Sequence, residues 1–287
     1  MKTVEKMLLA SQQNEITEHE IYKRLARSMK DASNKAVLER IAADELRHFE
    51  FCKTHTKKDL KPQKLKVLFY VLVVRLFGLT FGIKLMERGE EGAQLSYDEI
   101  AKEIPDFKNI MVEEEQHEEE LISLIDEERL KYVGSMVLGL NDALVELTGA
   151  LAGLTLALQN TKLIALTGLI TGISAAFSMA ASEYLSTKTE GEKRDPVKAS
   201  IYTGFSYIIT VVFLIFPYLL FTNYLFCLGF ALFNALIVIL IFTYYISVVK
   251  DISFKSRFLE MAGISLGIAA LSFFIGYLIR GLLNVDV

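Results

Sequence analysis

Two short stretches stand out for the chemistry they could do: Glu45-Leu-Arg-His48 and Glu114-Glu-Gln-His117. Glu and His three residues apart lie on one face of a helix, so both side chains can ligate one ion. Two such helices, completed by one glutamate from each of two others, supply a two-metal carboxylate site; carboxylates bridge the ions and each imidazole closes one side. The completing glutamates are Glu15 upstream and Glu87 with Glu90 between the pairs, Glu91 competing with Glu90 for the same face. Glu114 and His117 sit in "VEEEQHEEE", where a Glu three residues before the His is close to unavoidable and a solvated acidic face is the plainer reading. Glu45 and His48, in "ADELRHFEF", are cleaner. His19 and His55 pair with nothing and read as surface or packing positions.

A second set lies in an apolar setting. Asp142 and Glu146 are four residues apart, hence on one helix face, and Met179 and Glu183 repeat that spacing. A carboxylate in mid-membrane costs about 3 kcal/mol even on insertion scales, so such acids mark ion or proton paths. At about 1.5 Å per residue, Glu183, Met179, Asp142 and Glu146 fall about 5, 10, 15 and 20 Å below one membrane face, a ladder of ligands. Carboxylates with a thioether suit a first-row transition ion better than magnesium or calcium. The plainer alternatives are a helix-end charge at Glu183 and simple packing at Met179.

The elements that must position these groups fall into two halves. Residues 1–130 hold 47 charged side chains and all four His, and residues 131–287 hold 19, within a chain that is 52% hydrophobic and 23% charged. A mean hydropathy of +0.34 over 287 residues argues for several membrane spans. The split excludes a single globular domain, a disordered chain and a disulfide scaffold. A net charge of −4 leaves no basic footprint for nucleic acid. Cys52 and Cys227, one in each half, fit a reducing compartment, and the first thirty residues show no apolar signal core.

In the apolar half, five spans are predicted at about 132–158, 163–186, 199–221, 224–249 and 259–281. Residues 199–249 carry no charge at all, and Pro217 with Thr222–Asn223 marks the turn that divides them. Lys188, Lys193, Arg194 and Lys198 in one loop, and Lys250, Lys255 and Arg257 in another, place those loops and the first half in the cytoplasm. The C-terminus then lies on the far side, with Arg280 the one discordant charge. Gly149/Gly153, Gly168/Gly172 and Gly263/Gly267 are small-xxx-small pairs that permit close helix approach.

In the charged half, helices are predicted over 4–56 with a break and cap at "DASN" (31–34), over roughly 65–92, and from Phe107 past Glu128, the last running on into the first span. Four long helices read as a bundle. The stretch 67–83 has nearly the length of a span, but Arg75 is central and Lys66 and Lys84 flank it. As a span it would put the two Glu-x-x-His pairs on opposite sides of the membrane. It reads instead as a bundle helix that lies near the membrane surface or packs in a dimer.

"LGLNDALVELTGALAGL" (138–154) followed by "GLITGISAAFSMAASEYLSTKTE" (168–190) resembles the first two helices of the vacuolar iron transporter family. The resemblance covers residues 132–284 and implies a five-helix protomer, a dimer that encloses the ion path, and exchange of ferrous iron for protons. It also implies that the family's path aspartate is Asp142, its methionine Met179 and its accompanying glutamates Glu146 and Glu183. Plant members carry a long metal-collecting segment after the second helix, where this chain has only "TKTEGEKRDPVK" (187–198).

The first half resembles the rubrerythrin branch of the ferritin-like superfamily through "NEITEHEIYKRLA" (14–26), "DELRH" (44–48), "ERGE" (87–90) and "EEQH" (114–117). This resemblance implies a di-iron centre with Glu15 as bridging glutamate. With two cysteines, the chain cannot carry the four-cysteine rubredoxin unit of rubrerythrins proper.

Together the halves resemble the membrane-bound ferritin or erythrin–transporter group. The fold expected is all-α: a cytoplasmic ferritin-like four-helix bundle (1–130) fused to a five-helix transmembrane bundle (131–287). The function expected is proton-coupled movement of ferrous iron, or manganese, out of the cytoplasm across a prokaryotic cell membrane by a homodimer. Its metal would bind at Glu15, Glu45, His48, Glu87, Glu90, Glu114 and His117 before it passes to the membrane path. The rival is a membrane-anchored di-iron ferroxidase or peroxide scavenger.

Overall fold

The computed structural model is all-helical among the residues it describes, 2–123, 131–191 and 194–283, and divides into two compact units, Met1–Glu127 and Glu128–Val287.

The first unit contains α1 (Lys2–Ser28), α2 (Ala32–Thr56), α3 (Lys64–Phe77), α4 (Leu79–Glu103) and α5 (Phe107–Ser123). Asp31 starts α2 as the "DASN" pattern predicts, its carboxylate accepting from the Asn34 N–H at 2.8 Å. Helices α1, α2, α5 and α4 each touch the next and the last touches the first, so the four close a ring. Ile21 and Leu25 of α1, Leu38 and Ile41 of α2, Ile83 of α4 and Leu121 of α5 fill its apolar core.

The single helix predicted over 65–92 is two helices. Gly78 takes φ 97° and ψ 163°, a conformation closed to L side chains, and so ends α3 and starts α4. Its N–H still closes on the Val74 carbonyl, and the Gly82 backbone lies where a methyl group would come within 2.2 Å of Val74 Cγ2. Apart from Lys64, Lys66 and Arg75, helix α3 is apolar on its exposed face as well as its buried one. Val67, Tyr70, Val71 and Val74 face the core, and Leu65, Leu68, Phe69, Leu72 and Leu76 are exposed. The predicted run of α5 into the first span falls on 124–130, outside the described residues.

The second unit contains α6 (Val133–Leu158), α7 (Thr161–Glu190), α8 (Pro196–Leu220), α9 (Tyr224–Lys250) and α10 (Phe254–Leu283), all long and apolar enough to cross a membrane. Helix α6 is central and touches the other four. Asn160, Asp195 and Asn223 cap α7, α8 and α9, so polar side chains satisfy the amides where those helices begin.

Pro217 lies inside α8 rather than at the turn, which falls at 221–223. A proline has no N–H to offer the carbonyl four residues back, and here that carbonyl, Phe213 O, accepts from Asn234 Nδ2 of α9 at 2.9 Å. Backbone approach is closest where glycines allow it. A methyl group at Gly139 would stand 2.3 Å from Thr203 O of α8, and one at Gly276 of α10 2.4 Å from Gly153 O of α6. Gly149/Gly153 and Gly168/Gly172 pack against α10 and α8, whereas Gly263 and Gly267 meet nothing within 4 Å.

Candidate metal centre and membrane path

Helices α1, α2 and α5 bring one side chain after another into the bundle interior. Glu15 comes from α1, Glu45 and His48 from α2, and Glu114 and His117 from α5. Glu15, Glu45 and His48 are each at most 1% exposed, a setting in which carboxylates survive only with partners. One ligand atom from each of Glu15, Glu45, His48 and Glu114 lies within 4.8 Å of the others, a grouping that could hold a metal ion. His117 adjoins it, its Nδ1 3.3 Å from Glu45 Oε1 and 3.9 Å from Glu114 Oε2. The two imidazole rings stack at 5.7 Å between centroids.

Hydrogen bonding inside the group is incomplete. Glu15 Oε1 accepts from Ser11 Oγ at 2.9 Å, yet Glu15 Oε2, Glu45 Oε2 and His117 Nδ1 are buried with no hydrogen-bond partner. Buried oxygen and nitrogen lone pairs that converge without donors fit a cation. Oxygen with imidazole suits iron or manganese. Burial pushes the nearby Cys52 thiol up to about 12 in the metal-free protein.

Without a metal, protons fill that role. Burial alone would lower the pKa of His48, but its hydrogen bond to Glu114 and the Glu15 and Glu45 carboxylates 3.6 and 3.8 Å away outweigh it and hold the ring charged well above the usual imidazole range. His117 is likewise pushed up to about 10, burial opposing and the attraction of the Glu114 and Glu45 carboxylates beside Nδ1 prevailing. Glu114 is brought down to about 2, since His117 and His48 overcome its burial. Glu15 is raised well above the carboxylate range by burial.

Of the other residues expected here, Glu87 lies half-buried on α4, and the side chains of Glu90 and Glu91 are outside the described residues. His19 is a packing residue, its Nδ1 2.5 Å from the Ala42 carbonyl, and His55 is exposed.

Three residues around the cluster do not announce themselves in the sequence. Asp44 Oδ2 accepts from His117 Nε2 at 3.1 Å, and Glu113 Oε2 accepts from His48 Nε2 at 2.6 Å. Arg47 donates to both, to Asp44 Oδ1 at 2.7 Å and to Glu113 Oε2 at 2.6 Å. Each immediately precedes a cluster residue, which is the one available signal.

In the membrane unit the four expected residues fall into separate groups. Asp142 is half-buried on α6. Glu146, one turn along, accepts from the hydroxyl of the fully buried Tyr207 of α8 at 2.9 Å. Met179 packs against the apolar core of the unit. Glu183 is buried and accepts from Ser135 Oγ at 2.6 Å, with Arg194 Nη1 at 3.6 Å. Arg194 also donates to Ser135 Oγ at 3.1 Å, which joins α6, α7 and the residues just before α8 at that end. Tyr207, Ser135 and Arg194 are remote in sequence from the acids they serve, and spacing gave no sign of them.

Comparison with curated proteins returns no match. No ferritin-like domain is detected by comparison with protein families. Residues 133–195, which span α6, α7 and the segment up to Asp195, the N-cap of α8, match the VIT family, the vacuolar iron transporters. Five apolar helices and this match point to a multi-pass membrane protein, similar over residues 133–195 to the VIT family.

Proposed function

We propose that the protein moves ferrous iron, or manganese, out of the cytoplasm in exchange for protons. In this reading residues 131–287 form the transporting domain and residues 1–130 a ferritin-like domain that captures, senses or oxidises the metal. The observation that carries it is the VIT family match over the two helices that hold Asp142, Glu146, Met179 and Glu183. Acids are costly within a membrane and are retained for ion or proton movement. Tyr207 orients Glu146 by donating to it. Glu183 faces Arg194, so a cation arriving there competes with a positive charge that the protein already carries.

In the first domain Glu15, Glu45, His48, Glu114 and His117, with Glu87 and Glu90 or Glu91 from α4, would hold two ions. Bound iron would supply the one-electron chemistry of a ferroxidase. The chain's own groups bind and orient it, and the imidazoles release protons as it enters. The basic loops favour a cytoplasmic location for this domain, in a homodimer in the cell membrane. The buried cluster, with its unpartnered oxygens, favours a second reading: a membrane-anchored di-iron oxidase.

Ferrous-ion flux into proteoliposomes separates the two. Asp142→Ala is expected to reduce flux at least tenfold, and unchanged flux would sink the path as drawn. Glu45→Ala/His48→Ala is expected to lower flux at limiting iron. Flux unaffected by that change would leave the first domain as sensor or enzyme.

A further inference from the structure

The two histidines of the cluster are held alike from outside. His48 turns Nδ1 inward, 3.0 Å from Glu114 Oε1 and 3.6 Å from Glu15 Oε2, and gives Nε2–H to Glu113. His117 turns Nδ1 toward Glu45 and gives Nε2–H to Asp44. A metal-bound imidazole needs this kind of acceptor on its other nitrogen, which fixes both the tautomer and the ring plane. Asp44 comes from α2 and Glu113 from α5, and both stand at the rim, their side chains 17% and 35% exposed. Left alone, either carboxylate could swing into water or inward to bind metal itself. One guanidinium prevents both movements. Arg47 reaches Asp44 through Nη1 and Glu113 through Nη2, so its rigid planar fork spans two carboxylates on different helices.

We propose that Arg47 is a positioning residue for both imidazoles: by clamping Asp44 and Glu113 it keeps both Nε2 positions bonded and both Nδ1 atoms free to face a metal. This rests on the reading of the cluster as a metal centre. It goes beyond that reading because it ties the two histidines, and so the two ions, to a single residue that touches neither. The alternative is an ordinary surface ion pair. Arg47 is 58% exposed, and exposed pairs add little to stability. The two roles therefore part cleanly: a clamp alters metal binding with little change in the metal-free fold.

The test uses the full chain in detergent with Co²⁺ alone, a paramagnetic ion that shifts the exchangeable N–H protons of bound imidazoles far from other NMR signals. The bundle's share of binding is what Glu45→Ala/His48→Ala loses. The parent is expected to show two such N–H signals. Asp44→Ala should lose one to solvent exchange, Glu113→Ala the other, and Arg47→Gln should broaden both and weaken Co²⁺ binding by roughly 10-fold or more. Arg47→Lys keeps the charge but loses the rigid two-nitrogen fork, so it should fall short of the parent, and it serves if Arg47→Gln folds poorly. The metal-free melting temperature should match the parent's in whichever variant is used. Parent-like signals and affinity in both Arg47 variants would overturn the proposal, as would weakened binding that merely follows a lowered metal-free melting temperature. A parent that binds no more Co²⁺ than Glu45→Ala/His48→Ala would instead overturn the metal-centre reading, and the clamp with it.

Discussion

His48 and His117 carry their charge among carboxylates, and both pKa values are raised, that of His117 to about 10. A raised imidazole pKa gives stability that is fully present below the ordinary imidazole range and is lost as pH rises through the folded value. The metal-free protein should therefore melt at progressively lower temperature from about pH 7 to about pH 10. Metal needs the same nitrogens unprotonated, so binding must expel protons, and affinity should rise over that same interval. Calorimetry in two buffers of different ionisation enthalpy measures the release, with about one proton per histidine expected. A binding heat independent of buffer would contradict it. At this scale the Glu-x-x-His pairs were legible because a three-residue spacing on a helix fixes a shared face. Asp44, Arg47 and Glu113 were not. Among Glu113, Glu114 and Glu115, helix rotation against α2 decides which carboxylate turns inward and which meets Arg47, and that rotation is a property of packing.

Helix boundaries show the same division between local and tertiary causes. Four of the apolar helices were legible from charge-free length and α6 from its length despite Asp142 and Glu146, although α7 and α10 extend beyond the predicted spans. There, charged residues continue the helix past the apolar stretch. The break at Gly78 was hidden because apolar residues run through it, and one glycine costs a helix only about 1 kcal/mol. The backbone there, with φ 97°, requires glycine, so Gly78→Ala is expected to destabilise the first unit by about 1–3 kcal/mol. Pro217 misled for a related reason. A proline in a span ends the helix only if the carbonyl it abandons finds no other donor, and Asn234 provides one. Asn234→Leu should leave Phe213 O unsatisfied and lower the stability of the second unit by about 1 kcal/mol, read as a lower melting temperature in detergent.

For the whole molecule, composition alone separated a charged half from an apolar half, and the chain divides into two compact units at Glu127–Glu128. The family match lies wholly within the second unit. The first unit carries its candidate metal-ligand side chains behind an outer surface that is itself apolar along α3. Leu65 of α3 is 84% exposed, and Leu68, Phe69, Leu72 and Leu76 continue the same stripe. Contiguous apolar surface of this kind is a liability in free solution. A fragment cut before the first span is therefore expected to self-associate in water. Sedimentation of residues 1–130 with and without a mild detergent would show it, with Leu68→Lys/Leu72→Lys as the dispersing control. Handling, as much as chemistry, is written into α3: the charge-rich half of this protein carries a surface that water alone does not keep in solution.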